Sequence, residues 1–235
     1  MYNPAELAKK TESIVTNENM KKYYRFRATG FYGGIATADT VGCNLRCKFC
    51  WSANSVWNAK NTGNFYSPEH VAERLHEIAL QKSYSQMRIS GGEPTIGRKH
   101  LVALLENIST EFLFILETNG ILLGMDPTYV QELAAFKNLH VRVCLKGCTS
   151  EEFSWLTGAK EGFEYQLKAL EHLIDENLSF NIALVSIRGN KQELFERLKR
   201  MNLGGIMIEE EAIKLYPHVR KRLNNEGILH YFEEK

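Results

Sequence analysis

The 235-residue chain has no run of 18 or more apolar residues, so no segment has the length and character of a membrane-spanning helix. It has no marked charge of either sign: 29 Lys and Arg face 28 Asp and Glu. Bulk charge therefore gives no argument for a nucleic acid or membrane partner, although a basic cluster at Lys214, Arg220, Lys221 and Arg222 leaves RNA phosphates or an acidic protein open as partners. Proline is scarce, at 5 residues, and no Ser/Gly-rich or low-complexity stretch marks a linker. No solenoid-type repeat is present. The opening MYNPAELAKKTESIV is polar and lacks the apolar centre of a secretory signal. Five cysteines, three of them within eight positions, make a poor disulfide framework. The expectation is a cytoplasmic protein with reduced thiols and a sizeable single core.

What is present is an alternation of short apolar runs with amphipathic stretches. Expected strands are Ile35 to Thr40, Gln86 to Ser90, Phe112 to Thr118, His140 to Leu145, Phe180 to Ser186 and Ile206 to Ile208. Between them lie helical stripes: Val71, Leu75 and Ile78; Leu101, Leu104, Leu105 and Ile108; Phe163, Leu167, Leu170 and Ile174; Leu194, Leu198 and Met201. Ser67-Pro68-Glu69 and Asp126-Pro127 each set a capping side chain before a proline, a helix start. Six successive βα units predict a parallel sheet wrapped by helices, with chemistry at the carboxyl ends of the strands. The first 33 or so residues read as a helix and a loop, and EEEAIKLYPHVRKRL as a terminal helix.

Cys43, Cys47 and Cys50 follow the first expected strand as C-x3-C-x2-C. Soft thiolates select zinc or iron–sulfur clusters. Structural zinc normally takes four ligands in paired knuckles, which this spacing does not supply. Three thiolates on a [4Fe–4S] cluster leave one iron open to a ligand that is not protein. The alternative is a four-cysteine site completed by Cys144 or Cys148.

C-x3-C-x-F-C in a βα-repeat chain resembles the signature of the radical S-adenosylmethionine (SAM) enzymes. Later motifs are similar to the minimal-barrel branch typified by pyruvate formate-lyase activating enzyme. The resemblance, from about Ile35 to the C-terminal helix, implies an α/β fold, a partial (βα)6 TIM-like barrel with parallel strands and an N-terminal helical extension. Residues 1–34 would be the extension packed on the barrel and 35–235 the radical SAM domain. It implies a cluster on Cys43, Cys47 and Cys50 whose open iron chelates SAM. Reductive cleavage then yields methionine and a 5'-deoxyadenosyl radical that abstracts hydrogen from a substrate. A flavodoxin- or ferredoxin-type low-potential donor is implied as partner.

By the same resemblance, Phe49 packs near the adenine, unless it only anchors the loop. Gly91, Gly92, Glu93 and Pro94 (GGEP) would serve the SAM amino group, with Glu93 offering its carboxylate. Glu117, Thr118 and Asn119, in LETNG, would face the methionine end or a cation, against a simple Asn-Gly turn. Lys146 would pair with the SAM carboxylate. Ser186 and Arg188 stand at the height of SAM contacts. The branch's "DLK" reads "CLK" here, so Cys144 replaces the aspartate associated with a cation site, and Arg142 is a candidate for the positive charge. The substrate is expected to be a glycine of a glycyl-radical partner protein, or else a small molecule or nucleoside met by WSANSVWNAKNTGNFY. A non-catalytic iron–sulfur or zinc clip is the remaining alternative.

Overall fold

The computed structural model describes residues 1–185 and 190–233. Its centre is a mixed sheet. Strands β1 (Thr16–Asn17), β2 (Met20–Thr29), β3 (Ile35–Thr40), β4 (Asn64–Tyr66), β5 (Gln86–Gly91), β6 (Leu113–Thr118), β7 (Leu139–Leu145), β8 (Phe180–Val185) and β9 (Ile208–Glu211) join in the order β1-β2-β3-β5-β6-β7-β8-β9, with β4 on β2. From β3 to β9 every neighbouring pair is parallel. Among the described residues β9 does not pair back to the first strands, so the sheet stays open as a partial TIM-like barrel.

Helices α1 (Pro4–Val15), α2 (Ala53–Trp57), α3 (Pro68–Lys82), α4 (Arg98–Glu106), α5 (Ile121–Met125), α6 (Pro127–Leu133), α7 (Ser150–Thr157), α8 (Phe163–Asp175), α9 (Gln192–Arg200) and α10 (Pro217–Asn225) connect or flank these strands. The expected starts are in place. Ser67 accepts from the His70 amide and Asp126 from the Thr128 amide, each ahead of a proline in the first turn. Val71 and Leu75, Leu101 with Leu104 and Leu105, and Leu194 with Leu198 are buried on their helices. Ile174 is not: Leu173 is buried in its place and Ile174 is exposed. Among the described residues no helix is long and apolar enough to cross a membrane.

Both ends of the chain differ from the sequence expectation. The segment after α1 is not a loop. It forms β2, which runs antiparallel to β3 with an irregularity between Tyr23 and Arg25. Glu209–Glu211 lie in β9, not in a terminal helix, and the helix starts only at Pro217. Helix propensity favours a Glu run, but Arg142 and Lys146 pair with Glu209 and Glu211 and draw the run into the sheet.

His100 on α4 ties this new strand to the core. Its Nδ1 is 2.8 Å from the Asn19 carbonyl, which fixes the ring proton there, so Nε2 accepts from the Tyr23 hydroxyl at 2.8 Å. Burial pulls its pKa down to about 4. The folded state thus binds fewer protons than the unfolded one between pH 4 and 6.5, and stability falls as pH drops through that window. The contribution is about 3 kcal/mol. Urea titrations at pH 7 and pH 4 are expected to differ less in a His100→Gln variant than in the wild type by roughly that amount.

Candidate functional site

The cysteine loop leaves β3 and is held from three sides. Arg46 donates to the Cys43 and Leu45 carbonyls at 2.7 and 2.9 Å, and its own amide donates to the Tyr2 hydroxyl. Thr11 of α1 donates to the Cys43 carbonyl. From α10, Arg222 donates to the carbonyls of Lys48 and Cys50. The C-terminal basic cluster is therefore not one surface: Arg222 faces the loop, Arg220 pairs with Glu233, and Lys214 lines a cavity.

Cys43, Cys47 and Cys50 line one wall of a cavity of about 130 Å³. Burial raises all three thiol pKa values, Cys47 to about 12. Metal loading must then release protons, and it weakens as pH falls. Phe49, Gly91, Gly92, Glu93, Glu117, Thr118, Asn119, Cys144 and Lys146 line the same cavity, so the fold gathers the motifs from four strand ends. Phe49 also packs on Phe232, with ring centroids 5.7 Å apart. Ser186 and Arg188 lie outside the described residues.

The GGEP loop is docked on the cysteine loop by its backbone. The Gly92 amide donates to the Thr40 carbonyl at 2.9 Å and the Glu93 amide to the Gly42 carbonyl at 2.7 Å. A Cβ on Gly92 would sit 1.9 Å from the Gly42 oxygen, which is why glycine stands there. The Glu93 carboxylate points inward to the protein. Oε1 accepts from the Thr95 amide, Thr95 hydroxyl and Thr118 hydroxyl, and Oε2 from the Asn119 amide. Four donors fill its main acceptor capacity. What the loop offers the cavity is backbone, contrary to the expected free carboxylate. Pro94 is not on the cavity wall; its carbonyl accepts from Lys21 at 2.7 Å.

Lys21 is a site residue that the sequence reading missed. It is fully buried on β2 and its ammonium donates to the carbonyls of Glu93, Pro94 and Ile96. Arg142 and Cys144 were already candidates; polar and charged side chains at period two near the strand ends were the overlooked signal for the others, Arg88 with Ser90 and Glu209 with Glu211. Arg88 pairs with Glu117 at 2.9 Å, and Ser90 donates to the same carboxylate at 2.5 Å. Arg142 grips Glu209 through two 2.8 Å contacts and donates to the Cys144 sulfur at 3.1 Å. Lys146 lies 3.6 Å from Glu211.

A second cavity, of about 550 Å³, opens beside the first and shares Trp51, Ser52, Ser90, Gly91, Glu117 and Glu211 with it. On its wall two guanidiniums share one carboxylate: Arg25 Nε is 2.7 Å and Arg27 Nε 2.6 Å from Asp39 Oδ2. Over the whole lining the charges balance, Arg25, Arg27, Arg88, Arg142 and Lys214 standing against Asp39, Glu117, Glu209, Glu210 and Glu211. Tyr24, Trp51 and Tyr216 supply aromatic faces.

The donor set suits a cluster better than a lone ion. A cubane asks one thiolate of each of three irons, and so accepts thiolates spaced along a cavity wall.

The radical SAM superfamily model matches residues 38–202. GTP 3',8-cyclase of Helicobacter pylori (strain ATCC 700392 / 26695) is 27% identical over 168 residues, covering 70% of this chain and 50% of that protein. The 7-carboxy-7-deazaguanine synthase of Hyperthermus butylicus is 40% identical over 83 residues, 35% of this chain and 33% of that one. The chain spans about half the length of the curated relatives it matches. In fold it is similar to Streptococcus suis SuiB bound to precursor peptide SuiA, with a TM-score of 0.61 at 18% identity, covering 82% of this chain and 45% of that one. It is also similar to native anSMEcpe with bound AdoMet, with a TM-score of 0.55 at 18% identity, covering 80% and 57%. The chain belongs to the radical SAM superfamily, whose cofactors are a [4Fe–4S] cluster and SAM.

Proposed function

We propose that this member of the radical SAM superfamily holds a [4Fe–4S] cluster on Cys43, Cys47 and Cys50 and acts on a small anionic, ring-bearing substrate in the larger cavity. Bound there and reduced by a flavodoxin- or ferredoxin-type donor, such a cluster would supply the electron for cleaving SAM to methionine and a 5'-deoxyadenosyl radical, which would take hydrogen from substrate. The chain's residues do the binding. The backbone of Gly91, Gly92 and Glu93 would receive the SAM ammonium, and Lys146 its carboxylate. Phe49 closes the apolar side, where the adenine would lie. Glu117, Thr118 and Asn119 would line the methionine end. Cys144, in place of an aspartate, removes one carboxylate from a cation site there. Ser186 and Arg188 stay candidates for SAM contacts by resemblance.

The observation that carries the substrate class is the larger cavity, joined to the cysteine-lined one and bearing Arg25 and Arg27 on a single Asp39. Two adjacent guanidiniums beside aromatic faces suit a carboxylated or phosphorylated ring. Two of the relatives carry names of that kind, one a guanine nucleotide and the other a deazaguanine. The activating-enzyme reading has less support, because a concave pocket with a few fixed polar groups is the usual form of a small-molecule site.

The test is 5'-deoxyadenosine formation by anaerobically reconstituted protein with dithionite, with and without GTP and related ring-bearing anions. Stimulation by one of them is expected, and Arg25→Ala should raise the concentration it requires roughly ten- to a hundredfold. Stimulation only by a glycyl-radical protein would overturn the substrate assignment.

A further inference from the structure

The cysteine loop has two sides. Cys43, Leu45, Cys47, Phe49 and Cys50 line the cavity described above, while Arg46 and Lys48, set between them in sequence, line a separate groove of about 700 Å³. No residue lines both. Arg222 of α10 and Trp57 of α2 also face the groove. The Trp57 ring is exposed, and both guanidiniums lie against it, 5.6 Å from the centroid for Arg46 and 5.4 Å for Arg222. Of the groove's charged side chains, three are cations and one is a carboxylate, Glu226, which is 3.2 Å from Lys48. Arg46 donates to the carbonyls of Cys43 and Leu45, and Arg222 to those of Lys48 and Cys50. Among the described residues neither is paired with a carboxylate, so each guanidinium keeps its charge and some of its five N–H donors for a partner. The groove thus carries a positive excess, in contrast to the balanced lining of the larger cavity.

We propose that this groove is the docking surface for an acidic one-electron carrier of the flavodoxin type, which reduces the cluster from behind the cysteine loop. The inference rests on the cluster assignment made above. A carboxylate of the carrier paired with Arg46 or Arg222 is one hydrogen bond from the peptide carbonyl of Cys43 or Cys50. The carrier therefore seats against the backbone of the cluster's own ligands. A single electron passes, the carrier being oxidised and the cluster reduced by one, with no bond made or broken. Substrate and SAM enter the two cavities on the other side of the loop, so the carrier does not compete with them for space. A nucleic acid would also find positive charge here, but it would gain nothing from contact with the cysteine carbonyls. Electron-transfer encounters need only a small, charge-steered interface, which a groove with a few cations and one exposed aromatic provides.

The experiment uses the reconstituted protein and a purified acidic flavodoxin at low ionic strength, where charge steering is strongest. Wild type is first treated with a carbodiimide in the presence of flavodoxin. An amide bond between Lys48 and a flavodoxin carboxylate, located by mass spectrometry, is the expected product, and this measurement needs no variant to fold. Affinity is then read from flavin fluorescence for wild type, Lys48→Glu and Ala53→Glu. Ala53 lines the groove and holds no part of the cysteine loop. Both variants are expected to weaken binding roughly tenfold, while Lys82→Glu, at the end of α3 where the strands begin, leaves it unchanged. In Ala53→Glu, 5'-deoxyadenosine formation should need roughly tenfold more flavodoxin, with the dithionite-driven rate unaltered. Absence of a Lys48 product, or equal flavodoxin affinity in all the variants, would overturn the docking assignment. Loss of affinity for a short single-stranded RNA in the groove variants, with flavodoxin binding unchanged, would give the groove to nucleic acid instead. A wild type served by dithionite and not by flavodoxin would overturn this inference alone. No product with dithionite would overturn the cluster assignment, and this inference with it.

Discussion

Cys47→Ala protein, reconstituted with iron and sulfide and given SAM and dithionite, is expected to lose 5'-deoxyadenosine formation by about a thousandfold or more, roughly 4 kcal/mol of barrier. Removing one of three thiolates leaves two on the cavity wall, too few to hold the cluster with one iron open. The comparison that gives the result meaning is with the other two cysteines. Cys148 is buried away from the cavity wall, its amide donating to Glu152. Cys144 is on the wall, but its sulfur accepts from Arg142. Cys144→Ala and Cys148→Ala are each expected to keep about four irons per chain. Loss of iron from Cys144→Ala would make it a fourth ligand and revive the closed, non-catalytic site.

Glu93→Ala is expected to destabilise the protein, even without cofactors, by about 3–5 kcal/mol, the range for breaking a buried charged network. Four donors from Thr95, Thr118 and Asn119 would lose their acceptor at once. The fully buried ammonium of Lys21 would also lose a nearby negative charge that raises its otherwise burial-lowered pKa. Urea unfolding of the metal-free protein measures the effect. Since SAM is absent from that assay, a large loss assigns Glu93 to joining the loops after β5 and β6. A loss under about 1 kcal/mol, the level of one ordinary hydrogen bond, would return the carboxylate to the role of ammonium ligand.

Much of the architecture was legible because it depends on local periodicity. The central parallel strands and the helices between them follow from runs such as FILET and VRVCL and from stripes such as Val71 with Leu75. Burial of one face then leaves few topologies. Legibility failed where a residue's partner lies far along the chain. KKYYRFR reads as a polar stretch, yet it is a strand whose Lys21 is buried because three carbonyls from residues 93 to 96 receive it. The Glu209–Glu211 run reads as helix, yet Arg142 and Lys146 hold it in the sheet.

The candidate site divides along the same line. The cysteine spacing, the order of GGEP and LETNG after successive strands, and hence the family, were readable from the chain because they depend on residue type and position. That Glu93 faces inward to Thr95, Thr118 and Asn119, and that Arg25 and Arg27 converge on Asp39, emerges only once the chain is folded. Hydrogen bonds and charge pairs are matched through space between strands dozens of residues apart, and a linear pattern carries no record of which donor meets which acceptor.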